Sequence, residues 1–377
     1  MILFDLTATQ PLTSSTKRHG GGKYGEAIIK RIIDRNLPVK CYYDSSKWIN
    51  PEIMSIIGKE RLFDIRSKSL SDVVEETRAS LIYSALPQRS LTQFKECKII
   101  GTVHGLRRLE TPADLGSLRY KNNRWQEMAM TLFHYFMPKT YVRFLCNSKM
   151  KEWSNPNYSF VTVSNHSANS IKTFFPSLKD RNIPVFYSPS TSTKVDISKK
   201  YTDKYFLLVS GNRPDKNNLR AICALDMLLS NGYLEDYKIK ITGVKSADAY
   251  RYSIKNKDKF EFKGYVDENE LEQLYHDAYA LIYPSLNEGF GYPPLEAMHY
   301  GVPVLASPFT SIPEVCGGSV LYFNPFSLEE IAARVIYVTQ ENVHRKYRDL
   351  ALAQFAKITA KQNEDLDKLI DYIYANV

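Results

Sequence analysis

Short apolar segments alternate along the whole chain with segments of helical periodicity. A parallel sheet covered by helices on both faces produces this pattern, because its buried strands are almost continuously apolar and each is followed by an amphipathic helix. The sequence therefore predicts α/β architecture. The ten predicted strands are Ile2–Leu6, Val39–Tyr43, Ser80–Tyr83, Lys98–Val103, Ser159–Val163, Tyr205–Ser210, Tyr237–Thr242, Lys259–Lys263, Ala280–Tyr283 and Val304–Ala306.

The length of 377 residues exceeds what one ordinary core supports, so two domains are expected. A stretch rich in Ser, Thr and Lys is predicted to link them, and the last residues carry an apolar stripe typical of a terminal helix. The predicted parts are a first domain at 1–187, a linker at 188–203, a second domain at 204–361 and a C-terminal helix at 362–377.

The composition excludes several classes of protein. Hydrophobic residues make up 44% and charged residues 24%, as in soluble globular proteins. We find no run of about 18 apolar residues, the length needed to span a bilayer, and no basic leader follows Met1. Five scattered cysteines without a C-x-x-C pair indicate reduced thiols and no zinc site. These features predict a cytoplasmic location.

The net charge of +9 is unevenly distributed. Residues 1–190 contain 28 Lys+Arg and 16 Asp+Glu, a balance of +12, whereas residues 191–377 have 22 and 25, a balance of −3. The basic half indicates an anionic partner, such as a phosphate-bearing acceptor, a membrane surface or nucleic acid, or serves solubility alone. Residues 119–153 add many aromatic residues, which fit either an anionic membrane or a core.

The segment Asn287–Pro303 (NEGFGYPPLEAMHYGVP) carries the strongest site signal. It follows an apolar strand, begins with a glycine-containing loop and continues into a helix that opens with two prolines. Such a loop lets the backbone approach a ligand, and the start of a helix attracts phosphate. Glu296 lies where a carboxylate can accept hydrogen bonds from a ribose diol, or where it merely favours the helix dipole.

Together with the following SIPEVCGGSVLYFNP, this segment resembles the signature of the family-4 retaining glycosyltransferases. The resemblance implies a GT-B fold, in which two Rossmann-like domains face each other across a cleft and the C-terminal helix returns to the first domain. It also implies a Glu-x7-Glu motif at Glu288 and Glu296, with the first Glu near the donor sugar and the second at the ribose. The loop amides of Gly289, Phe290 and Gly291 would face the sugar and diphosphate.

Other segments of the second half agree with the resemblance. SGNRPDKNN is similar to the family's diphosphate-binding element, in which Arg213 and Lys216 would neutralise the leaving group. Asp215 stands where many relatives have Arg, which raises the question whether Arg213 replaces it. The resemblance also implies that Gly264, Tyr265 and Val266 line the pocket for the donor base and that Gly243 lies in the sugar-side loop.

The first half matches the family through two short elements. A glycine loop that includes Gly22 follows the first strand and would approach the donor diphosphate or the acceptor. Its distance from that strand argues against a nicotinamide dehydrogenase. His104 follows the fourth predicted strand, where relatives carry a His-Asp pair near the donor sugar. The next residue here is Gly105, so only the histidine carries over.

These observations predict a metal-independent, retaining glycosyltransferase without a cofactor. The donor would be a UDP- or GDP-linked hexose and the acceptor a glycan of a surface polysaccharide or glycoconjugate, linked to polyprenyl phosphate at the inner face of the cell membrane. Nucleic acid is not expected as a partner. Two alternatives are an epimerase or phosphorylase on the same scaffold and a non-catalytic protein that binds anionic surfaces.

Overall fold

Two parallel six-stranded sheets form the framework of the protein. The computed structural model describes residues 1–11, 19–121, 125–190 and 204–377. The described residues divide into two compact units. The first unit lies within Met1–Leu106, Leu145–Thr191 and Thr359–Val377, and the second within Arg107–Phe144 and Ser192–Ile358. Arg124 and residues 191–203 of the predicted linker lie outside the described residues.

The strands of each sheet are short and mostly buried. The first sheet has the order β3-β2-β1-β4-β5-β6 and the second the order β12-β11-β10-β7-β8-β9. The strands of the first sheet are β1 Ile2–Asp5, β2 Val39–Tyr43, β3 Leu62–Asp64, β4 Leu81–Ser84, β5 Lys98–Val103 and β6 Tyr158–Thr162. Those of the second are β7 Tyr205–Leu208, β8 Lys238–Thr242, β9 Phe260–Gly264, β10 Ala280–Tyr283, β11 Val304–Ala306 and β12 Leu321–Tyr322.

Helices connect the strands in both units. Several begin at a residue whose side chain accepts a hydrogen bond from an amide of the first turn, as expected from the four unpaired N–H groups at a helix start. The helices up to β6 are α1 Gly20–Asp34, α2 Pro51–Ile57, α3 Leu70–Thr77, α4 Arg89–Thr92, α5 Arg107–Glu110, α6 Trp125–Phe136 and α7 Pro138–Glu152. The later ones are α8 Asn165–Phe174, α9 Asn218–Ser230, α10 Glu268–Asp277, α11 Tyr292–His299, α12 Ile312–Cys316, α13 Leu328–Val338 and α14 Glu341–Ala375.

All ten strands predicted from the sequence are confirmed, with ends that differ by at most two residues. The alternation of strands and helices that predicted a parallel α/β fold is therefore correct. Two edge strands, β3 and β12, were not predicted. They contain three and two residues, and a run that short carries no periodic signal of its own.

Residues 107–144 belong to the second unit, whereas the sequence analysis placed them in the first domain. Backbone hydrogen bonds explain the difference. The Lys121 amide donates to the Ala249 carbonyl (2.8 Å) and the Arg251 amide to the Arg119 carbonyl (2.7 Å). The ring of Tyr120 also packs edge-on against that of Tyr250, with both side chains buried. These contacts, and not the position of residues 107–144 along the chain, determine the unit to which the segment belongs.

The C-terminal end of α14 belongs to the first unit, as the sequence analysis expected. Its apolar stripe is buried, with Leu369, Ile370 and Ile373 almost fully removed from water. The side-chain amide of Gln362 donates to the Ser188 carbonyl, and the carboxylate of Asp365 accepts from the Tyr187 amide at 3.0 Å. Apolar burial and these hydrogen bonds together hold the helix end in place.

Among the described residues, no helix combines the length and the apolar character required to cross a membrane.

Candidate active site

The strand order of the second sheet indicates where a ligand is expected to bind. From β7 the chain proceeds outward through β8 and β9, then returns to β10 beside β7 and proceeds outward on the other side. In open α/β sheets, ligands bind at the carboxyl ends of the strands where the order reverses. Lys216 follows β7 and Glu288 follows β10, so both predicted site residues lie at this switch point.

A short 3-10 turn, Pro214–Lys216, brings Lys216 to the site. It ends at Asn217, which adopts the left-handed conformation with φ 55°, and the Asn217 side-chain amide donates to the Pro325 carbonyl at 2.8 Å. The amide of Leu286, after β10, donates to the Asp215 carbonyl at 2.8 Å. The turn after β7 is thereby joined to the loop after β10, and Lys216 is buried.

Glu288 forms a buried ion pair with Lys216. Its Oε1 atom accepts hydrogen bonds from Lys216 Nζ, from the Tyr283 hydroxyl at 2.5 Å and from Ser285 Oγ at 2.6 Å. Burial alone would raise the pKa of Glu288, but the charge of Lys216 and these hydrogen bonds outweigh it and hold the pKa below its usual value. Glu288 is therefore ionised at neutral pH.

The loop that follows Glu288 is held by residues after β11. The Glu288 amide donates to Thr310 Oγ1 at 2.8 Å, and Ser311 Oγ lies 3.0 Å from both the Glu288 and Phe290 carbonyl oxygens. The side chain of Phe290 is buried. Gly291 has φ 105°, and a Cβ there would lie 2.7 Å from Ile312 Cδ1, so only glycine fits the entry to α11.

Asp215 does not leave a gap in the site but binds two arginines. The guanidinium of Arg213 donates to both carboxylate oxygens, at 3.2 and 2.6 Å, and Arg107 Nε lies 3.7 Å from Oδ2. Burial alone would raise the pKa of Asp215, but the charges of Lys216, Arg213 and Arg107 hold it below its usual value. Three cations, Lys216, Arg213 and Arg107, therefore lie beside the carboxylates of Asp215 and Glu288.

Glu296 lies in the second turn of α11 and is half-buried. The Tyr275 hydroxyl, from α10, is hydrogen-bonded to its carboxylate. Burial, followed by the charge of Glu296, raises the pKa of Tyr275, so the phenol stays protonated and acts as the donor. Glu296 therefore has a hydrogen-bond partner on α10 in addition to the dipole of its own helix.

The loops after β8 and β9 are hydrogen-bonded to each other. The Gly243 amide donates to the Gly264 carbonyl at 2.5 Å, and the Gly264 amide donates to the Val244 carbonyl at 2.8 Å. Gly243 has φ 84° and packs closely on the loop after β7, where a Cβ would lie 3.1 Å from the Gly211 nitrogen. Tyr265 is 69% exposed and Val266 half-buried, so the Tyr265 ring is accessible to a ligand.

His104 and Gly22 belong to the first unit. The first sheet reverses its strand order between β1 and β4, and His104 Nε2 lies 2.8 Å from the carbonyl oxygen of Ala85, just after β4. A carbonyl only accepts, so Nε2 carries the proton. Desolvation lowers the pKa of His104 to about 4, so the ring is neutral at pH 7 and its Nδ1 is an acceptor.

Gly22 lies in the first turn of α1, where its amide donates to Nδ1 of the capping residue His19 at 3.1 Å. A Cβ at Gly22 would come within 3.0 Å of the Thr9 carbonyl oxygen. Packing at the start of α1 therefore accounts for a small residue at this position.

The structure thus brings Lys216 and Glu288 into contact and places Arg213 beside them through Asp215. The sequence analysis did not include Tyr283, Ser285 and Thr310, whose hydroxyl groups hold Glu288. Tyr283 is the last residue of a predicted strand and Ser285 follows it closely, so their place at a strand end was the available signal. Thr310 lies 22 residues beyond Glu288, and only the folded chain brings it close.

Comparison with known proteins shows what the chain is similar to. The family model described as glycosyl transferases group 1 matches residues 190–366, which include Lys216, Glu288 and Glu296. The chain is 34% identical over 198 residues to the O-antigen chain mannosyltransferase RfbU of Salmonella typhimurium, an alignment that covers 50% of this chain and 52% of that protein. It is 28% identical over 250 residues to the O-antigen chain mannosyltransferase B of Escherichia coli, covering 60% and 65%.

The chain therefore spans about half to two thirds of the length of these curated relatives. Its fold matches that of WaaG, a glycosyltransferase involved in lipopolysaccharide biosynthesis, with a TM-score of 0.65 and 13% identity over 99% of both chains. That likeness confirms the predicted GT-B fold. Residues 190–366, which carry the buried Lys216–Glu288 pair, are similar to the group 1 glycosyl transferases.

Proposed function

We propose that this protein transfers a hexosyl group from a nucleoside-diphosphate sugar to a glycan acceptor, with retention of anomeric configuration, in the synthesis of a surface polysaccharide. The observation that carries the proposal is the buried Lys216–Glu288 pair at the switch point of the second sheet. The names of the two O-antigen mannosyltransferases support a role in polysaccharide synthesis and make mannose the first sugar to test.

The chemistry follows from the charges at the site. Departure of a diphosphate builds negative charge, which Lys216 and Arg213 would stabilise. Each such electrostatic contact is worth about 3–4 kcal/mol of barrier. We propose that the reaction uses neither a cofactor nor a metal, because the charges of Lys216 and Arg213 can stabilise the leaving diphosphate.

Glu288 and His104 would act on the donor sugar. Among the described residues, none donates to Glu288 Oε2, and the side chain keeps 12% exposure, so this oxygen can meet the sugar. An ionised carboxylate there stabilises positive charge at the anomeric carbon. The neutral ring of His104 contributes an acceptor at Nδ1 rather than a charge.

A ligand panel tests the proposal directly. Thermal unfolding is measured with UDP, GDP, ADP and their hexose conjugates, because a ligand at about 100 times its Kd stabilises the folded protein by about 2.7 kcal/mol. The stabilising donor is then incubated with and without glycan acceptors, and the anomeric configuration of the product is read by NMR. Conversion of the donor without an acceptor would favour an epimerase, and no response to any nucleotide would contradict the proposal.

Replacement of Glu296 by alanine is expected to weaken nucleoside-diphosphate binding by about 1.5–3 kcal/mol, because it removes charge-assisted hydrogen bonds to the ribose. Isothermal titration calorimetry measures the change. Glu272→Ala is the matched control, since this exposed glutamate on α10 gives the same change in net charge. Unchanged affinity in a folded Glu296→Ala protein would contradict the ribose assignment.

We also propose that the acceptor is linked to polyprenyl phosphate at an anionic membrane surface on the cytoplasmic side. The exposure of α6 and the start of α7 supports this proposal. No residue of α6 is buried, and Trp125, Phe136 and Phe144 are 75%, 71% and 56% exposed. The sequence analysis left open that these aromatic residues form a core, and for these three the structure contradicts that alternative. Exposed Lys139 and Arg143 accompany them.

Vesicles of anionic phospholipid are expected to sediment the protein at low salt, and neutral vesicles are not. Each nearby Lys or Arg adds about 1 kcal/mol of attraction to an anionic leaflet, which fades in 1 M salt as the Debye length falls to about 3 Å. Lys139→Ser with Arg143→Ser should abolish sedimentation, while the exposed pair Lys59→Ser with Arg61→Ser should not. Absence of binding to anionic vesicles at low salt would contradict the membrane proposal.

A further inference from the structure

Helix α5 lies next to the Lys216–Glu288 pair without contributing to it. The helix has only four residues, Arg107–Glu110, and belongs to the same unit as the pair. Arg107 and Glu110 are three residues apart, so their side chains project from one face of the helix. The buried side chain of Leu109 anchors the helix.

Each of these two side chains contacts the residue directly before one member of the pair. The Glu110 carboxylate accepts a hydrogen bond from the side-chain amide of Asn287 at 2.9 Å, and Asn287 precedes Glu288. Arg107 Nε lies 3.7 Å from Asp215 Oδ2, and Asp215 precedes Lys216. Asn287 is 3% exposed, so the bond to Glu110 is shielded from water and restrains the loop.

The two contacts restrain both loops from a single short helix. The pair itself joins residues 72 positions apart in the sequence, from loops that follow different strands. A shift of about 1 Å in a reacting group can cost about 100-fold in rate, so a common support on both loops has a direct effect on the orientation of the pair. Arg107, whose side chain is 61% exposed, adds a longer ion pair to Asp215, whose carboxylate also binds the guanidinium of Arg213.

We propose that Arg107 and Glu110 are positioning residues that orient the Lys216–Glu288 pair through Asp215 and Asn287. The inference rests on the proposed function, because it assigns the two residues to the transfer reaction. They act on the pair and not on the substrate. Their loss therefore lowers turnover more than it weakens binding of the donor.

The experiment measures kcat and the donor KM for Arg107→Ala, Glu110→Ala and two conservative variants, Arg107→Lys and Glu110→Gln. The alanine variants are expected to lose about 10- to 100-fold in kcat with a smaller change in KM. The conservative variants should recover most of the loss, because the glutamine carbonyl still accepts from Asn287. Arg108→Ala, an exposed neighbour on the same helix, is the control and should retain wild-type turnover.

A double variant separates positioning from general destabilisation. If Glu110 acts through Asn287, the change Asn287→Ala adds little in the Glu110→Ala background, because contacting residues that act together are not additive. Full additivity of the two losses would overturn the inference for Glu110. Wild-type kcat in both Arg107→Ala and Glu110→Ala would overturn it entirely.

A second measurement needs no substrate and distinguishes failure of the inference from failure of the proposed function. The coupling between Lys216 and Glu288 is obtained from urea unfolding of Lys216→Met, Glu288→Gln and the double variant. The same cycle in the Glu110→Ala background should give about half the coupling or less, as the orientation of the pair is lost. Unchanged coupling overturns the positioning role, whether or not any nucleotide sugar supports transfer.

Discussion

Replacement of Lys216 by methionine is expected to destabilise the protein by about 3–5 kcal/mol at pH 7, because it leaves the Glu288 carboxylate buried without its cation. Lys216 itself is 5% exposed, and its ammonium group bonds both to Glu288 and, at 3.0 Å, to the Tyr283 hydroxyl. Urea unfolding followed by circular dichroism measures the loss. Affinity for the nucleoside diphosphate should fall as well, since the variant lacks the cation assigned to the leaving group.

The pH dependence of this loss identifies its cause. In the wild type the pKa of Glu288 is depressed, so its contribution to stability is present above the pKa of an unfolded Glu, about 4.3, and is lost as the pH falls further. In the variant the unpaired carboxyl has a raised pKa, so acid relieves the cost by protonating it. The difference between the two proteins should therefore shrink toward pH 4–5.

The double variant Lys216→Met with Glu288→Gln is the matched control. A neutral pair of similar volume removes the unpaired charge and should recover most of the lost stability. Equal stability of the wild type and the single variant at pH 7 would show that Lys216 does not neutralise Glu288 in solution.

Glu288→Gln is expected to reduce kcat by about 100- to 1000-fold, because a preorganised charge at the reacting centre is removed while the shape is kept. Affinity for UDP or GDP should hold or rise, since Lys216 no longer shares its charge with a carboxylate. Lys216→Met has the opposite effect on affinity, so the two variants together separate the sugar side from the diphosphate side. Wild-type kcat in Glu288→Gln would remove Glu288 from the catalytic residues.

Replacement of His104 gives a further prediction for kcat, and the pH dependence of kcat tests the protonation state of the ring. His104→Ala should lower kcat and preserve nucleotide affinity, as expected for a residue near the sugar. Because the pKa of His104 is lowered to about 4, the wild-type kcat should show no inflection from this ring between pH 6 and 8. An inflection near pH 6.5 that disappears in His104→Ala would show that the ring titrates in the working enzyme.

The sequence was sufficient to predict ten of the twelve strands in the described residues and the places of several site residues in the fold. Lys216 and Glu288 follow apolar runs, so their place at strand ends could be predicted, and the prolines that open α11 predicted that Glu296 lies on a helix. Their direct contacts could not, because the order of strands in a sheet is set by tertiary packing. Because β7 and β10 are neighbours in the sheet, Lys216 and Glu288, which belong to two separate motifs, form one ion pair.

The exposure of the aromatic residues of α6 and the location of α5 could not be predicted from the sequence either. The sequence of a helix rich in aromatic residues does not show whether its apolar side is buried or exposed. Here the packing of Phe133 on Tyr141 and the exposure of Trp125 distinguish the two cases. Residues 107–144 follow β5 in sequence, yet hydrogen bonds of the Lys121 and Arg251 amides attach them to the second unit. Hydrogen bonds between segments so distant in the sequence leave no local sequence pattern from which they could be predicted.

The return of residues 359–377 to the first unit has a consequence for how the protein is made. The buried side chains of Leu369, Ile370 and Ile373 complete a core whose other parts lie before residue 192. A ribosome that adds about 5–20 residues per second needs on the order of ten seconds or more to proceed from that point to the last helix. The first unit to emerge is therefore the last to be completed, and its apolar surface stays open to chaperones throughout that interval.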